Sequence, residues 1–432
     1  MASSSPLFRP LRVRSLELAN RIVMSPMTRS YSIDGVPGED VAAYYRRRAA
    51  GGTGLIVTEG VAIDHPTAVD NPRVPRMHGT EALAGWRRVV DEVHDAGGPD
   101  RPAVVARRTV VGRDERGRSR TEADASVGQL GRLGITSYPE DYVAWATRPT
   151  EAMTEQDIAD VIAAYARAAA AAAEAGFDGI ALHGGHGYLL DSFLWEGTNT
   201  RTDAWGGDLE RRTRFPAAVV AAIRAEIGDD LPIVFRFSQH KQQNYTARIA
   251  ETPDELKVIL GALVEAGVDI LDASIRRFDT PAFEGSDLSL AGWAKQLTGV
   301  TTMAVGSVGI GKSLRESRIS GSAPIDDNVH EVERRIDSGE FDLIAVGRLH
   351  LADPALATTL QAGGAAARIR PRDPRSVADL TRTGRVRGGD DRRPPWDPRS
   401  PSNFPLCSIG SAGRRPRRRP PIRATGSGPS AP

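Results

Sequence analysis

The stretch FDGIALHGGHGYLLDSFLW, residues 177–195, sets a short apolar run against a helix-like one. Between them stand two histidines, His183 and His186, three residues apart among glycines and followed by Tyr188. The first half, DGIALHG, is continuously apolar rather than alternating. A strand buried on both faces reads this way, and such strands belong to parallel sheets covered by helices.

The same kind of run recurs along the chain. IVMSPM (22–27), GLIVTEG (54–60), LPIVFRFS (231–238), VDILDAS (268–274), TTMAVGS (301–307) and FDLIAVGR (341–348) join DGIALHG (178–184), and PAVVAR (102–107) is a weaker eighth. Helical patterns separate them. Thr252, Pro253 and Glu255 form a capping box with proline at the first helical position. Thr154 precedes a long alanine-rich segment that stops near Gly176. Eight strand–helix units predict a (β/α)8 TIM barrel over residues 1–381. A doubly wound open sheet is the alternative, but no GxGxxG follows an early strand.

Composition narrows the class. The chain has 432 residues, 40% apolar and 26% charged, which suits a soluble globular protein. It shows no run of signal-peptide or membrane-span character, so a cytoplasmic location and no membrane partner are expected. The single cysteine, Cys407, excludes an internal disulfide and any multi-cysteine metal site. The net charge of +1 hides a division. Residues 382–432 hold twelve arginines, three aspartates and no lysine, so the body is mildly acidic and the tail strongly basic. Such a tail could bind nucleic acid. It lacks aromatic interleaving and any recognisable module, so a solvated, disordered tail with no nucleic-acid partner is expected.

In a barrel the chemistry sits at the C-terminal ends of the strands. Here those ends read Ser25-Pro26-Met27-Thr28, Thr58-Glu59-Gly60, His183 through Tyr188, Arg236-Phe237-Ser238, Gly306-Ser307 and Gly347-Arg348. The last two, small residues with one arginine after strands seven and eight, suit a phosphate held by backbone N–H groups; ordinary tight turns are the alternative. The histidine pair allows three readings. It could be half of a metal site, although no third ligand is obvious nearby and Asp191 falls on the following helix. It could be structural. Or two neutral imidazoles could donate N–H bonds to one substrate oxygen, with Tyr188 supplying a proton.

With these motifs in place, the chain resembles the old yellow enzyme family, the FMN-dependent NAD(P)H:flavin oxidoreductases and ene-reductases. The matching pieces are LFRPLRVRSLELANRIVMSPMTRS, GLIVTEG, GFDGIALHGGHGYLLDSFLWEGTNTRTDAWGGDLERRTRFP, FRFSQ, AVGSVG and FDLIAVGR, spread over residues 6 to about 380. The resemblance implies a barrel holding FMN at its mouth, with hydride passing from NADH or NADPH to the flavin and on to the β-carbon of an activated alkene. By position, it places Pro26, Met27 and Thr28 along the isoalloxazine, Gly60 against the ring through its backbone, and Arg236 at the N1/O2 end. Gly306, Ser307, Gly347 and Arg348 fall at the phosphate. His183 and His186 grip the substrate's oxygen, and Tyr188 protonates the α-carbon. No metal is implied. The readings set against this one are a flavin-deficient barrel without turnover and a metal-dependent barrel hydrolase.

One family element is missing. Where the family's third strand runs close to PIAPQLWHVG, with a glutamine that bonds the flavin, residues 99–108 read PDRPAVVARR. Seven arginines fall between Arg101 and Arg120, both included. Yet CCC GAT CGC CCC GCA GTT GTG GCA CGT CGG, one spelling of those ten residues, gives Pro-Ile-Ala-Pro-Gln-Leu-Trp-His-Val when read one base later. A reading-frame slip near Gly98, restored before MTEQDI at 153–158, accounts for the segment. A diverged strand is the alternative, and the gene's codons decide between them. As written, the chain lacks the glutamine, and its third strand is expected to pair poorly.

Overall fold

A computed structural model describes residues 5–66, 68–69, 71–97, 103–107, 131–136, 152–312 and 326–363, with only the backbone of 103–107. The basic tail and most of the anomalous 99–150 segment therefore lie outside the described residues.

Eight parallel strands close into a barrel. They are β3 (Ile22–Met24), β4 (Leu55–Val57), β5 (Ala103–Arg107), β6 (Ile180–His186), β7 (Ile233–Lys241), β8 (Ile270–Ser274), β9 (Thr301–Val305) and β10 (Leu343–Val346). Each falls within, or extends by a few residues, one of the apolar runs. β10 pairs with β3, Ile344 opposite Ile22, so the sheet has no free edge. The expectation that the third strand pairs poorly is not met. The backbone of β5 pairs with β4, Ala103 opposite Ile56, and with β6, Val105 opposite Ile180.

Two cores explain the continuous apolar runs. Inside the barrel, Val23, Leu55, Val57, Val234, Ile270 and Leu343 pack with Val13, Leu16 and Leu18. The last three belong to a hairpin, β1 (Leu11–Val13) and β2 (Leu16–Leu18), that plugs the N-terminal end. Outside, Ile180, Leu182, Phe235, Leu271 and Ile344 meet the ring of helices.

The helices start where their caps dictate. In α3 (Glu155–Glu174), Thr154 and Asp157 form a reciprocal box, with Asp157 in the place usually taken by glutamate. In α6 (Pro253–Glu265), Thr252 and Glu255 form the box read from the sequence. Asp208 caps α5 (Leu209–Ile227) through the Arg211 N–H. Among the described residues no helix is long and apolar enough to cross a membrane.

Candidate active site

The strand ends that carried the sequence argument lie at one end of the barrel, as parallel pairing requires. Side-chain contacts gather them into two groups.

The first group is built on β6. Its ring chain runs from Tyr188 to His183 (centroids 4.8 Å apart), to His186 (5.0 Å) and to His240 (5.0 Å). The glycines of HGGHGY have packing reasons. A Cβ on Gly184 would fall 2.1 Å from the Phe235 ring, and one on Gly185 would fall 2.9 Å from Ser238 Oγ. The register between β6 and β7 shifts here. Gly184 faces Phe237, but His186 faces Lys241, so β7 bulges through Ser238, Gln239 and His240. Ser238 Oγ accepts the His186 backbone N–H (2.8 Å) and donates to the His240 carbonyl (2.7 Å). His186 itself is left-handed at φ 63°, an uncommon state for a residue with a Cβ. Its ring Nε2 lies 2.9 Å from Ser274 Oγ at the end of β8. Burial, with the charges of Arg276 and Lys241 adding, drives the His240 imidazole down to about 3, so it is neutral at physiological pH.

Behind this group Asp191, on the short helix α4 (Leu189–Leu194), accepts from Lys241 Nζ at 2.7 Å, and both side chains are fully buried. Burial pushes the Asp191 carboxyl up and the Lys241 ammonium down, each opposed by its partner.

The second group lies across β3, β4, β7, β8, β9 and β10. Arg236 Nε donates to Asp272 Oδ2 (2.6 Å) and Nη2 to Ser25 Oγ (3.2 Å). Burial raises the Asp272 carboxyl, and Arg236 opposes that shift. Gly347 stands beside Met27, where a Cβ would come 3.4 Å from its Sδ. Pro26, Met27 and Thr28 are half-buried and Gly60 is buried. Glu59 ties these loops together. Its Oε2 accepts the backbone N–H of Arg29 (2.9 Å), and its own N–H donates to the Tyr45 hydroxyl (2.9 Å). The Arg29 guanidinium lies 3.7 Å from the centre of the Tyr44 ring, with Arg48 at 3.6 Å from the same ring.

At the far side, Ser307 is left-handed at φ 50° and its Oγ donates to the Arg276 carbonyl (2.9 Å). Arg348 Nη2 donates to Ser307 Oγ (3.1 Å) and to the Lys312 carbonyl (2.9 Å). Asn328 locks the turn, accepting the Gly309 N–H (2.6 Å) and donating to the Ser307 carbonyl (3.1 Å).

The sequence reading did not single out Glu59, Asp272, Ser274, His240, Asn328 or the Asp191–Lys241 pair as parts of the site. Asp272 carried a usable signal: a charge inside the apolar run VDILDAS needs a partner, and register puts Arg236 opposite it. Among the described residues no three His, Cys, Asp or Glu side chains converge as a metal site would require.

The profile of the NADH:flavin oxidoreductase / NADH oxidase family matches residues 6–366. The chain is 32% identical over 356 residues to the NADH oxidase of Thermoanaerobacter brockii, which covers 81% of this chain and 49% of that protein. It is 35% identical over 230 residues to 12-oxophytodienoate reductase 7 of Oryza sativa subsp. japonica, covering 52% of this chain and 57% of the relative. Against these two it thus spans about half of the relative's length. The flavin oxidoreductase hxnT of Emericella nidulans is 30% identical over 384 residues, covering 83% of this chain and 91% of that one. Morphinone reductase in complex with tetrahydroNAD superposes with a TM-score of 0.68 at 28% identity, over 90% of this chain and 99% of that one.

Proposed function

Since the chain belongs to the NADH:flavin oxidoreductase / NADH oxidase family, we propose that it is an FMN-dependent NAD(P)H oxidoreductase that reduces activated C=C bonds of enones and related small electrophiles. The FMN-binding barrel would be one domain over residues 1–381, with 382–432 as a tail.

The residues present suit FMN. Gly347 leaves room beside Met27, so backbone can approach a ligand closely there, whereas Gly306 is required by packing, since a Cβ on it would strike the Ile275 carbonyl at 2.5 Å. Ser307, Gly306 and Gly347 would offer main-chain N–H groups to a phosphate, and Arg348 a guanidinium. Pro26, Met27, Thr28 and Gly60 would line the ring, and Arg236 would set positive charge beside it. Bound FMN supplies hydride transfer from NADH or NADPH and onward to an acceptor.

At the acceptor, His183 and His186 would donate N–H bonds to its carbonyl or nitro oxygen, drawing electron density from the alkene. His186 Nε2, now facing Ser274, would exchange that hydroxyl for the acceptor oxygen. Tyr188 would deliver a proton to the α-carbon. The observation carrying this reading is the cluster of two imidazoles and a phenol, ring to ring, at the end of one barrel strand.

The test begins with the purified chain: flavin absorbance that bleaches with NADH or NADPH and returns with cyclohexenone. A colourless, folded protein would mean a flavin-deficient barrel. Next comes Tyr188→Phe, followed by stopped-flow reoxidation. Loss of the proton donor should slow cyclohexenone by about 10²–10⁴ and leave a quinone almost unchanged, because a quinone needs no proton on carbon. Equal losses with both acceptors would make Tyr188 a packing residue.

A further inference from the structure

The buried Asp191–Lys241 pair touches none of the groups placed at flavin or substrate through its charges, and burying two charges is a poor way to stabilise a fold. Two apolar side chains of similar size would do as well or better. Asp191 has a second bond that gives it another use. Its Oδ2 accepts the backbone N–H of Gly187 at 2.6 Å, while Oδ1 takes Lys241 Nζ at 2.7 Å.

Gly187 is left-handed at φ 85° and directly follows His186 at φ 63°, so two successive residues occupy a region that most side chains avoid. A Cβ on Gly187 would sit 2.4 Å from Gln243 Oε1, two residues beyond Lys241. The turn is thus gripped from both sides. Ser238 holds the His186 N–H from β7, and Asp191 holds the Gly187 N–H from α4. Tyr188 follows at once and stands at the N-cap position of that helix, without a side-chain capping bond. His186 is also held by Ser274, and the Tyr188 backbone leaves directly from the turn at Gly187, its ring packed 4.8 Å from that of His183.

We propose that the Asp191–Lys241 pair is a positioning device: Lys241 keeps the Asp191 carboxylate in place and charged, and Asp191, through the Gly187 N–H, fixes where Tyr188 delivers its proton. A neutral acid would hold the N–H less strongly, since hydrogen bonds to a charged acceptor are about twice as strong. The proposal rests on the reading of Tyr188 as proton donor given above.

The test uses the flavin-loaded protein with Asp191→Asn, the double variant Asp191→Leu/Lys241→Met, and Tyr188→Phe as reference. The double variant removes both charges together and so leaves no lone buried ion. FMN content and reduction by NADH should stay at the wild-type level in both pair variants. Reoxidation by cyclohexenone should fall on the order of tenfold to a hundredfold, as displacement of a reacting group by about 1 Å does. The fall should be in kcat rather than KM, and a quinone should be reduced as before. Unchanged cyclohexenone rates in a folded, flavin-loaded variant overturn the proposal, and so do equal losses with both acceptors. If the double variant does not fold, the isosteric Asp191→Asn decides by the same ratio. If Tyr188→Phe itself shows no preference for one acceptor, the proton-donor reading fails and takes this proposal with it. Selectivity in Tyr188→Phe without it in the pair variants sinks this proposal alone.

Discussion

The two ends of the candidate site are built on opposite plans. At β6 the groups that matter are side chains, and side chains must be aimed. The chain does this with a bulge, two left-handed residues, two serine hydroxyls and a buried ion pair. At β9 and β10 the groups proposed to hold the phosphate are main-chain N–H donors and one arginine. Glycines, one left-handed serine and a single clamping asparagine suffice there. Aiming an imidazole or a phenol needs a second layer of support. Presenting a peptide N–H needs only the right turn. Substitutions at the first end should therefore alter rates and spare cofactor retention, and those at the second should do the reverse.

The largest test of that division is His183→Ala. Removing the donor proposed for the acceptor oxygen should slow cyclohexenone reoxidation by about 10²–10³ while FMN content stays whole. A variant that purifies without flavin would merge the two ends into one structural unit. Next is Arg348→Ala, which should weaken FMN binding by roughly tenfold to a hundredfold, in line with about 1.5–3 kcal/mol for a hydrogen bond to a charged group. Titrating stripped protein with FMN measures it. With FMN saturating, cyclohexenone reoxidation should match the wild type; a lasting deficit there would break the comparison.

The smallest effect concerns pH. His240 belongs to the aimed end and titrates at about 3 when folded, against 6.5 as its ordinary value. Below 6.5 the unfolded chain takes up a proton that the folded chain refuses. Its contribution therefore leaves stability untouched above that pH and lowers it as pH falls from 6.5 toward 3. His350, driven down to about 4 by burial although the Val346 carbonyl against its Nδ1 opposes the shift, acts in the same direction. Thermal melts between pH 7 and 5 should show Tm falling, and His240→Gln should flatten the slope. An unchanged slope would mean that His240 is accessible to protons in the folded state.

The barrel was legible because strands buried on both faces leave continuous apolar runs, and all eight were found, the doubtful PAVVAR included. The hairpin β1–β2 escaped notice. Two three-residue strands, with Leu16 and Leu18 buried and Glu17 exposed between them, are too short to show a period. Among the candidate residues, the strand ends announced themselves through their place in the repeat. The support beneath them did not. Asp191 and Lys241 lie 50 residues apart, and in FRFSQHKQQNY the lysine reads as the start of a polar loop. In fact β7 continues to Lys241 and carries its side chain inward, an outcome of the bulge rather than of composition. Glu59 was quoted within TEG, but nothing in that triplet shows that its carboxylate reaches the N–H of Arg29.

Closure of the sheet has one further consequence. β5 is a single five-residue strand, yet among the described residues it alone joins β4 to β6 in the sheet. Were its pairing lost, two rows of unsatisfied N–H and C=O groups would open at once, on strands as apolar as Leu55–Val57 and Ile180–Leu182. Exposed edges of that kind template the addition of other chains. The segment whose codons decide the missing glutamine is therefore also the one that keeps those two strands covered, and a chain in which Ala103–Arg107 left its place should associate strand to strand.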